Sequence, residues 1–243
     1  ALLEGTPTND FVGSNSVVLE VEDAVGVKVG QSFSIQVTNT NDAPIFNSVP
    51  VLGAVQDEIY TYDIVSTDVD VGDNLTLTVP VLPDWLVFVN NGNGLGSISG
   101  TPGNDDIGVH SVLVRVEDNI GVAAEQIFEI LVDNANDTPV FTSSPVTSAT
   151  EDVSYTYNIF TSDDDVGDTI TLVALSIPSW LSLVDNGDGS ASLTGLPNND
   201  FVGDHSVVLR VRDQSGAETN QSFTITVANV NDDPEFISSA PVT

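Results

Sequence analysis

At 243 residues, 40% of them hydrophobic, the chain has room for one large domain or two ordinary ones, each with a packed core. It has no cysteine and no methionine, which excludes a disulfide framework and a thiolate metal site. Four basic residues (Lys28, Arg115, Arg210, Arg212) face 36 acidic ones, a formal charge of −32, which argues against nucleic acid or an anionic membrane surface as a partner. The charge comes in short motifs inside alternating apolar runs, so the chain is expected to fold. No apolar run approaches the ~18 residues of a membrane helix, and no membrane segment is expected in this stretch.

From the N-terminus, "GTPTNDFVG" (5–13) is the first recognisable unit, and it returns as "GTPGNDDIG" (100–108). "NTNDAPIF" (39–46) follows, and returns as "NANDTPVF" (134–141) and "NVNDDPEF" (229–236). Asn41, Asn136 and Asn231 stand 95 residues apart, as do Pro44, Pro139 and Pro234. Residues 46–140 and 141–235 align without a gap, with roughly half their positions identical, the mark of a tandem duplication. The expected organisation is the C-terminal half of a repeat (1–45), two complete repeats (46–140 and 141–235) and the start of a next one (236–243). The chain reads as a window on a longer array.

Within 46–140 the predicted elements are all strands. "VPVLGAV" (49–55), "IYTYDIV" (59–65), "NLTLTVP" (74–80), "WLVFV" (85–89), "GSISG" (96–100), "HSVLVRVE" (110–117) and "EQIFEILVD" (125–133) are short, rich in β-branched or aromatic residues, and partly alternating. "DVGDN", "NNGNG", "TPGNDD" and "DNIG" punctuate them as turns. Seven strands per repeat give an all-β fold of tandem immunoglobulin-like sandwiches in an extended array. Trp85 and Trp180, each in a Pro-x-Trp-Leu start, are expected in the core. His110 and His205 are expected at a loop or rim, and "DNGDG" (185–189) as a tight hairpin.

Three acidic motifs recur in register: the inter-repeat Asn-x-Asn-Asp; Asp-x-Asp-x-Gly-Asp, as "DVDVGD" (68–73) and "DDDVGD" (163–168); and a lone Asp after a Val-rich strand, at Asp23, Asp118 and Asp213. Further acids recur early and midway: Asp57 or the pair Glu151/Asp152, and Asp10, Asp105 or Asp200. Ca²⁺ takes 6–8 oxygen ligands at about 2.3–2.6 Å, and clustered carboxylates, amide oxygens and a proline-restrained linker supply them. Calcium is the expected cofactor.

These motifs together resemble cadherin repeats over the whole chain, in particular the cadherin-like domains of bacterial surface proteins and the dystroglycan type. "LPDWL" (82–86) and "IPSWL" (177–181) match the latter. The family linker Asp-x-Asn-Asp-Asn-x-Pro stands here as Asn39-x-Asn41-Asp42-Ala43-Pro44, and Gln56 occupies the place that Glu151 holds in the next repeat. The resemblance implies ions between repeats. It implies a first junction of Asp10, Asn41 and Asp42 with Asp68, Asp70 and Asp118. A second would join Asp57, Asp105, Asn136 and Asp137 to Asp163, Asp165 and Asp213. A third, of Glu151, Asp152, Asp200, Asn231 and Asp232, has no downstream half in this stretch and is expected to bind calcium weakly.

No catalytic motif stands out, and acids duplicated in every repeat suit a modular structural role. The expected function is a calcium-stiffened segment of an extracellular adhesin, stalk, surface fibre or filament, acting outside or on the cell surface without enzymatic activity. Its partners would be the neighbouring repeats, other copies in a fibre, or a cell-surface glycan or protein. Alternatives are an array of carbohydrate- or protein-binding modules, or spacers in a larger secreted enzyme.

Overall fold

A computed structural model of the chain describes residues 2–70, 72–165, 167–234 and 236. Most of the expected repeat start at 236–243 lies outside the described residues. The chain divides into two compact units, Ala1–Asn134 and Ala135–Thr243. The linker residues Asn136 and Asp137 thus group with the repeat that follows them.

The first unit opens with a hairpin of β1 (Gly13–Glu22) and β2 (Lys28–Val37). Eight strands follow: β3 (Ile45–Phe46), β4 (Gly53–Val55), β5 (Tyr60–Thr67), β6 (Thr76–Val81), β7 (Leu86–Gly92), β8 (Leu95–Gly100), β9 (Gly108–Glu117) and β10 (Ala123–Asp133). They form two four-stranded sheets, ordered β3-β5-β8-β7 and β4-β10-β9-β6. Of the expected opening strand 49–55 only Gly53–Val55 is strand, parallel to β10, and Ile45–Phe46, ahead of that range, pairs with β5 in the other sheet. Pro50 lies between the two short strands and lacks the N–H a continuous ladder needs.

The second unit repeats this layout with β11 (Val140–Phe141), β12 (Ser148–Thr150), β13 (Tyr155–Ser162), β14 (Thr171–Ser176), β15 (Leu181–Asp185), β16 (Ser190–Gly195), β17 (Gly203–Arg212) and β18 (Glu218–Ala228). Its sheets run β11-β13-β16-β15 and β12-β18-β17-β14. The fold is therefore a tandem of immunoglobulin-like β-sandwiches.

Alternation decides what each strand buries. In β5, Tyr60, Tyr62, Ile64 and Ser66 point inward while the residues between them are exposed. Val112, Val114 and Val116 of β9 and Ile130 of β10 meet them in the core with no solvent exposure. Burial pushes the hydroxyls of Tyr60 and Tyr155 up to about 12, helped by the neighbouring Tyr62 and Tyr157. Trp180 is buried and Trp85 packs against the core, each edge-on to a tyrosine and a histidine. His110 and His205 lie half-buried, their Nε2 atoms 2.6 Å from a backbone oxygen. Gly100 and Gly195 pass so close to the Trp85 and Trp180 carbonyls that a Cβ would overlap them. "DNGDG" forms the β15–β16 hairpin, where Ser190 O accepts from Asn186 N at 3.0 Å.

Candidate metal centre

Three chain segments converge at one end of the first complete repeat. Asp68, Asp70 and Asp73 occupy the connection after β5, Asp118 follows β9, and Asn41 and Asp42 lie in the linker before β3. Asp68, Asp73 and Asp118 each place a carboxylate oxygen within 4.8 Å of the other two. The Asp70 N–H donates to Asp68 Oδ1 at 2.9 Å, which curls the loop. Asp118 Oδ1 accepts from the N–H groups of Ile120 (2.9 Å) and Val122 (2.8 Å), which ties the β9–β10 turn. The linker is stitched to these acids. Asn41 Nδ2 donates to Asp118 Oδ2 at 2.8 Å, and the Asp42 N–H to Asp70 Oδ2 at 2.7 Å. Asn9 Nδ2, from a 3₁₀ turn in the half repeat, donates to Asp42 Oδ2 at 2.9 Å.

The second unit builds the same cluster from Asp163, Asp168 and Asp213, again within 4.8 Å. Asn136 Nδ2 donates to Asp213 Oδ2 at 2.9 Å, and the Asp137 N–H to Asp165 Oδ2 at 2.7 Å. The Asp165 N–H donates to Asp163 Oδ1 at 3.0 Å. The N–H groups of Ala217 (2.8 Å) and Gly216 donate to Asp213 Oδ1.

The hydrogen bonds leave specific oxygens over. Asp68 Oδ2, Asp70 Oδ1, Asp73 Oδ2, Asp163 Oδ2 and Asp168 Oδ2 are buried without any partner. Among the described residues, no ion pair joins a basic side chain to these acids. A buried carboxylate oxygen without donor or counter-charge is costly, and a hard cation removes that cost. The titration behaviour divides along the same line. The Asn41 amide, aided by turn N–H groups against desolvation, holds Asp118 below the usual carboxylate range, and Asn136 does the same for Asp213. Desolvation raises Asp163, with Asp165, Asp213 and Asp168 adding repulsion and the Asp165 N–H opposing it. The all-oxygen donor set, the clustering and the partnerless oxygens fit Ca²⁺. Asp68, Asp70, Asp73 and Asp118 would hold an ion in the first unit, and Asp163, Asp165, Asp168 and Asp213 in the second, with the linker Asn and Asp beside them.

The remaining expected residues fall in two groups. Glu151 is buried with Oε1 accepting the Val230 N–H at 2.7 Å and Oε2 partnerless. Near it in sequence register, Asn199 Nδ2 donates to Asp232 Oδ2 at 2.9 Å, and Asn231 Nδ2 to Asp232 O at 3.1 Å. Gln56 is buried as Glu151 is. By contrast Asp10, Asp57, Asp105, Asp152 and Asp200 are exposed, Asp57 and Asp152 at φ of 61° and 59°. The residues missed by the motif reading are Asp73 and Asp168, which complete each cluster, and Asn9 and Asn199, which reach the linker in place of the neighbouring Asp10 and Asp200. Asp73 and Asp168 were visible as the last letter of Asp-x-Asp-x-Gly-Asp, repeated at the same offset. Nothing in the order Asn-Asp announced which of the two would turn inward.

Residues 43–133 match the Putative Ig domain family, and residues 136–226 match the Bacterial Ig domain family. Among solved structures, the protocadherin fragment PcdhgB3 EC1-4 aligns at 13% identity over 95% of this chain and 61% of its own, with a TM-score of 0.60. Protocadherin Gamma B2 extracellular cadherin domains 1–5 align at 18% identity over 91% of this chain and 47% of theirs, with a TM-score of 0.53. An endo-fucoidan hydrolase from glycoside hydrolase family 107 aligns at 26% identity over 93% of this chain, with a TM-score of 0.38. This chain covers 35% of that hydrolase's length. The chain is thus a tandem of immunoglobulin-like repeats whose fold is shared with cadherin extracellular domains. No helix among the described residues is long and apolar enough to cross a membrane.

Proposed function

We propose that this chain is a calcium-stiffened structural segment of an extended extracellular adhesin, stalk or fibre, with repeats of the dystroglycan-type cadherin kind. The observation that carries the reading is the set of buried, partnerless carboxylate oxygens on Asp68, Asp70 and Asp73, mirrored on Asp163 and Asp168. Their repulsion opposes closure of the loop after β5 or β13, and the linker hydrogen bonds end within the same clusters, on Asp70 and Asp118 or on Asp165 and Asp213. A bound cation would supply the missing charge and fasten each linker to the repeat that follows it. A chain of −32 would also lose self-repulsion with each ion taken up. Sites of modest affinity fill outside the cell, where extracellular calcium modules work with dissociation constants of roughly 10⁻⁴–10⁻³ M. The bacterial Ig-type matches and the extracellular domains among the structural neighbours support the same location. The role is structural rather than enzymatic, since the same acids stand in both copies.

Isothermal titration with calcium, paired with small-angle scattering in calcium and in chelator, tests this. Expected are at least two sites per chain and a longer, narrower particle in calcium. Heat of binding without any change in dimension would leave calcium sites but sink the stiffening.

A further inference from the structure

A three-residue 3₁₀ turn precedes β1, β9 and β17: Asn9–Phe11, Asn104–Asp106 and Asn199–Phe201. Each of these strands opens on a glycine, Gly13, Gly108 or Gly203, at φ of 109°, 120° and 119°, a backbone that a side chain would strain. The third residue of each strand then reaches back over the turn and holds its last carbonyl. Asn15 Nδ2 lies 2.6 Å from Phe11 O, His110 Nε2 2.6 Å from Asp106 O, and His205 Nε2 2.6 Å from Phe201 O. A carbonyl only accepts, so both histidines carry a proton on Nε2. Asn15 makes the same bond, so what the copies share is a fixed N–H donor, neither an imidazole nor a charge. The first residue of the turn faces the linker instead. Asn9 Nδ2 donates to Asp42 Oδ2 and Asn199 Nδ2 to Asp232 Oδ2, at 2.9 Å in both.

We propose that this turn is an ion-independent clip on the linker, and that Asn9 is thereby a positioning residue for the first acidic cluster. Asp42 is tied twice. Asn9 holds its side chain, and its N–H donates to Asp70 Oδ2 at 2.7 Å, inside the cluster. Asn41, beside it, donates to Asp118 Oδ2. An amide suits the clip because it gives Asp42 a donor without adding charge, whereas a carboxylate at position 9 would repel Asp42 until an ion arrived. The turn thus offers the linker its neutral side chain, while the neighbouring Asp10 is exposed. Asn9 bonds to none of Asp68, Asp70, Asp73 or Asp118, so it acts on them through the linker alone. The clip holds the linker against the cluster before any ion binds, which lessens the ordering that binding must impose. Its effect on affinity rests on the reading of the clusters as calcium sites.

Calcium titration of the full chain, followed by NMR at two turn amides, tests this. The Val122 N–H donates to Asp118 and reports the first cluster; the Ala217 N–H donates to Asp213 and reports the second. Asn9→Ala should weaken calcium at the first cluster roughly threefold to tenfold, the effect of one hydrogen bond, and leave the second unchanged. Asn15→Ala should act in the same direction, and Asn15→His, which installs the donor that His205 supplies, should restore the affinity. Asn199→Ala removes the same bond from a linker that, among the described residues, meets neither cluster, so it should change neither affinity. In chelator, Asn9→Ala should speed hydrogen exchange of the Asp42 N–H at least about twofold. If calcium still binds and Asn9→Ala leaves the first cluster unchanged, the clip is overturned and the calcium reading stands. Equal losses at both clusters, or a loss with Asn199→Ala, mean general destabilisation and overturn the clip too. If neither amide responds to calcium in the wild type, the calcium reading fails, and exchange at Asp42 decides the clip: faster in Asn9→Ala it stands, unchanged it falls.

Discussion

The two complete repeats hold nearly the same interior and the same clustered acids, and differ more outside. Tyr60 and Tyr155, Tyr62 and Tyr157, Val112 and Val207, and Ile130 and Ile225 are buried equivalents. The carboxylates at 68, 70, 73 and 118 return at 163, 165, 168 and 213. The outer faces hold Ile127 against Ser222 and Val109 against Asp204. Inward positions sit in a close-packed space where a lost methylene leaves a cavity, and the clustered acids depend on one another's placement. Outward positions face water, where the same exchange costs little.

The largest way to break the comparison is Ile130→Ala, inward on β10, beside Ile127→Ala, outward on the same strand. The first should destabilise its repeat by about 2–5 kcal/mol, because it empties a closed core. The second should move stability by no more than about 0.5 kcal/mol, because its site is open to solvent. Urea unfolding reads both, and equal losses would mean that the outward face of β10 has a hidden cover. Next in size are Asp73→Asn and Asp168→Asn. Each should lower calcium affinity at its own cluster about tenfold, ~1.4 kcal/mol. In chelator each should raise the melting temperature, because it removes a charge that has no counter-ion. If Asp73→Asn leaves the calcium isotherm unchanged, the cluster is not the site.

The smallest effect is in pH. In chelator, the raised Asp163 gives stability that is present at low pH and is lost as pH rises through its folded value. Asp118 and Asp213, held low, give stability that is present above the ordinary carboxylate range and is lost as pH falls through their lowered values. Melting temperature without calcium should therefore rise on mild acidification from neutral, then fall steeply in stronger acid. With calcium, a proton on Asp163 competes with the ion, so affinity at the second cluster should drop over the range where the chelated protein gains. Parallel melting and binding curves between pH 7 and about pH 3, below the usual carboxylate values, check the crossing.

By itself the sequence determined the 95-residue period, the all-β character, the inward face of each long strand and most of the acids in each cluster. These are local or periodic properties: alternation of period two, turn residues, and letters that return at a fixed offset. Other features were settled only in three dimensions. The segment 45–55 divides between two sheets because Pro50 interrupts its ladder and each short piece finds a different neighbour. Asp73 joins Asp118, 45 positions later in the chain, because the loops after β5 and β9 end on the same side of the sandwich. Asn9 rather than Asp10 faces Asp42 because a single 3₁₀ turn decides which of two adjacent side chains points inward. Carboxylate oxygens become costly only once folding has removed their water, and that burial is a property of the assembled loops rather than of any one of them.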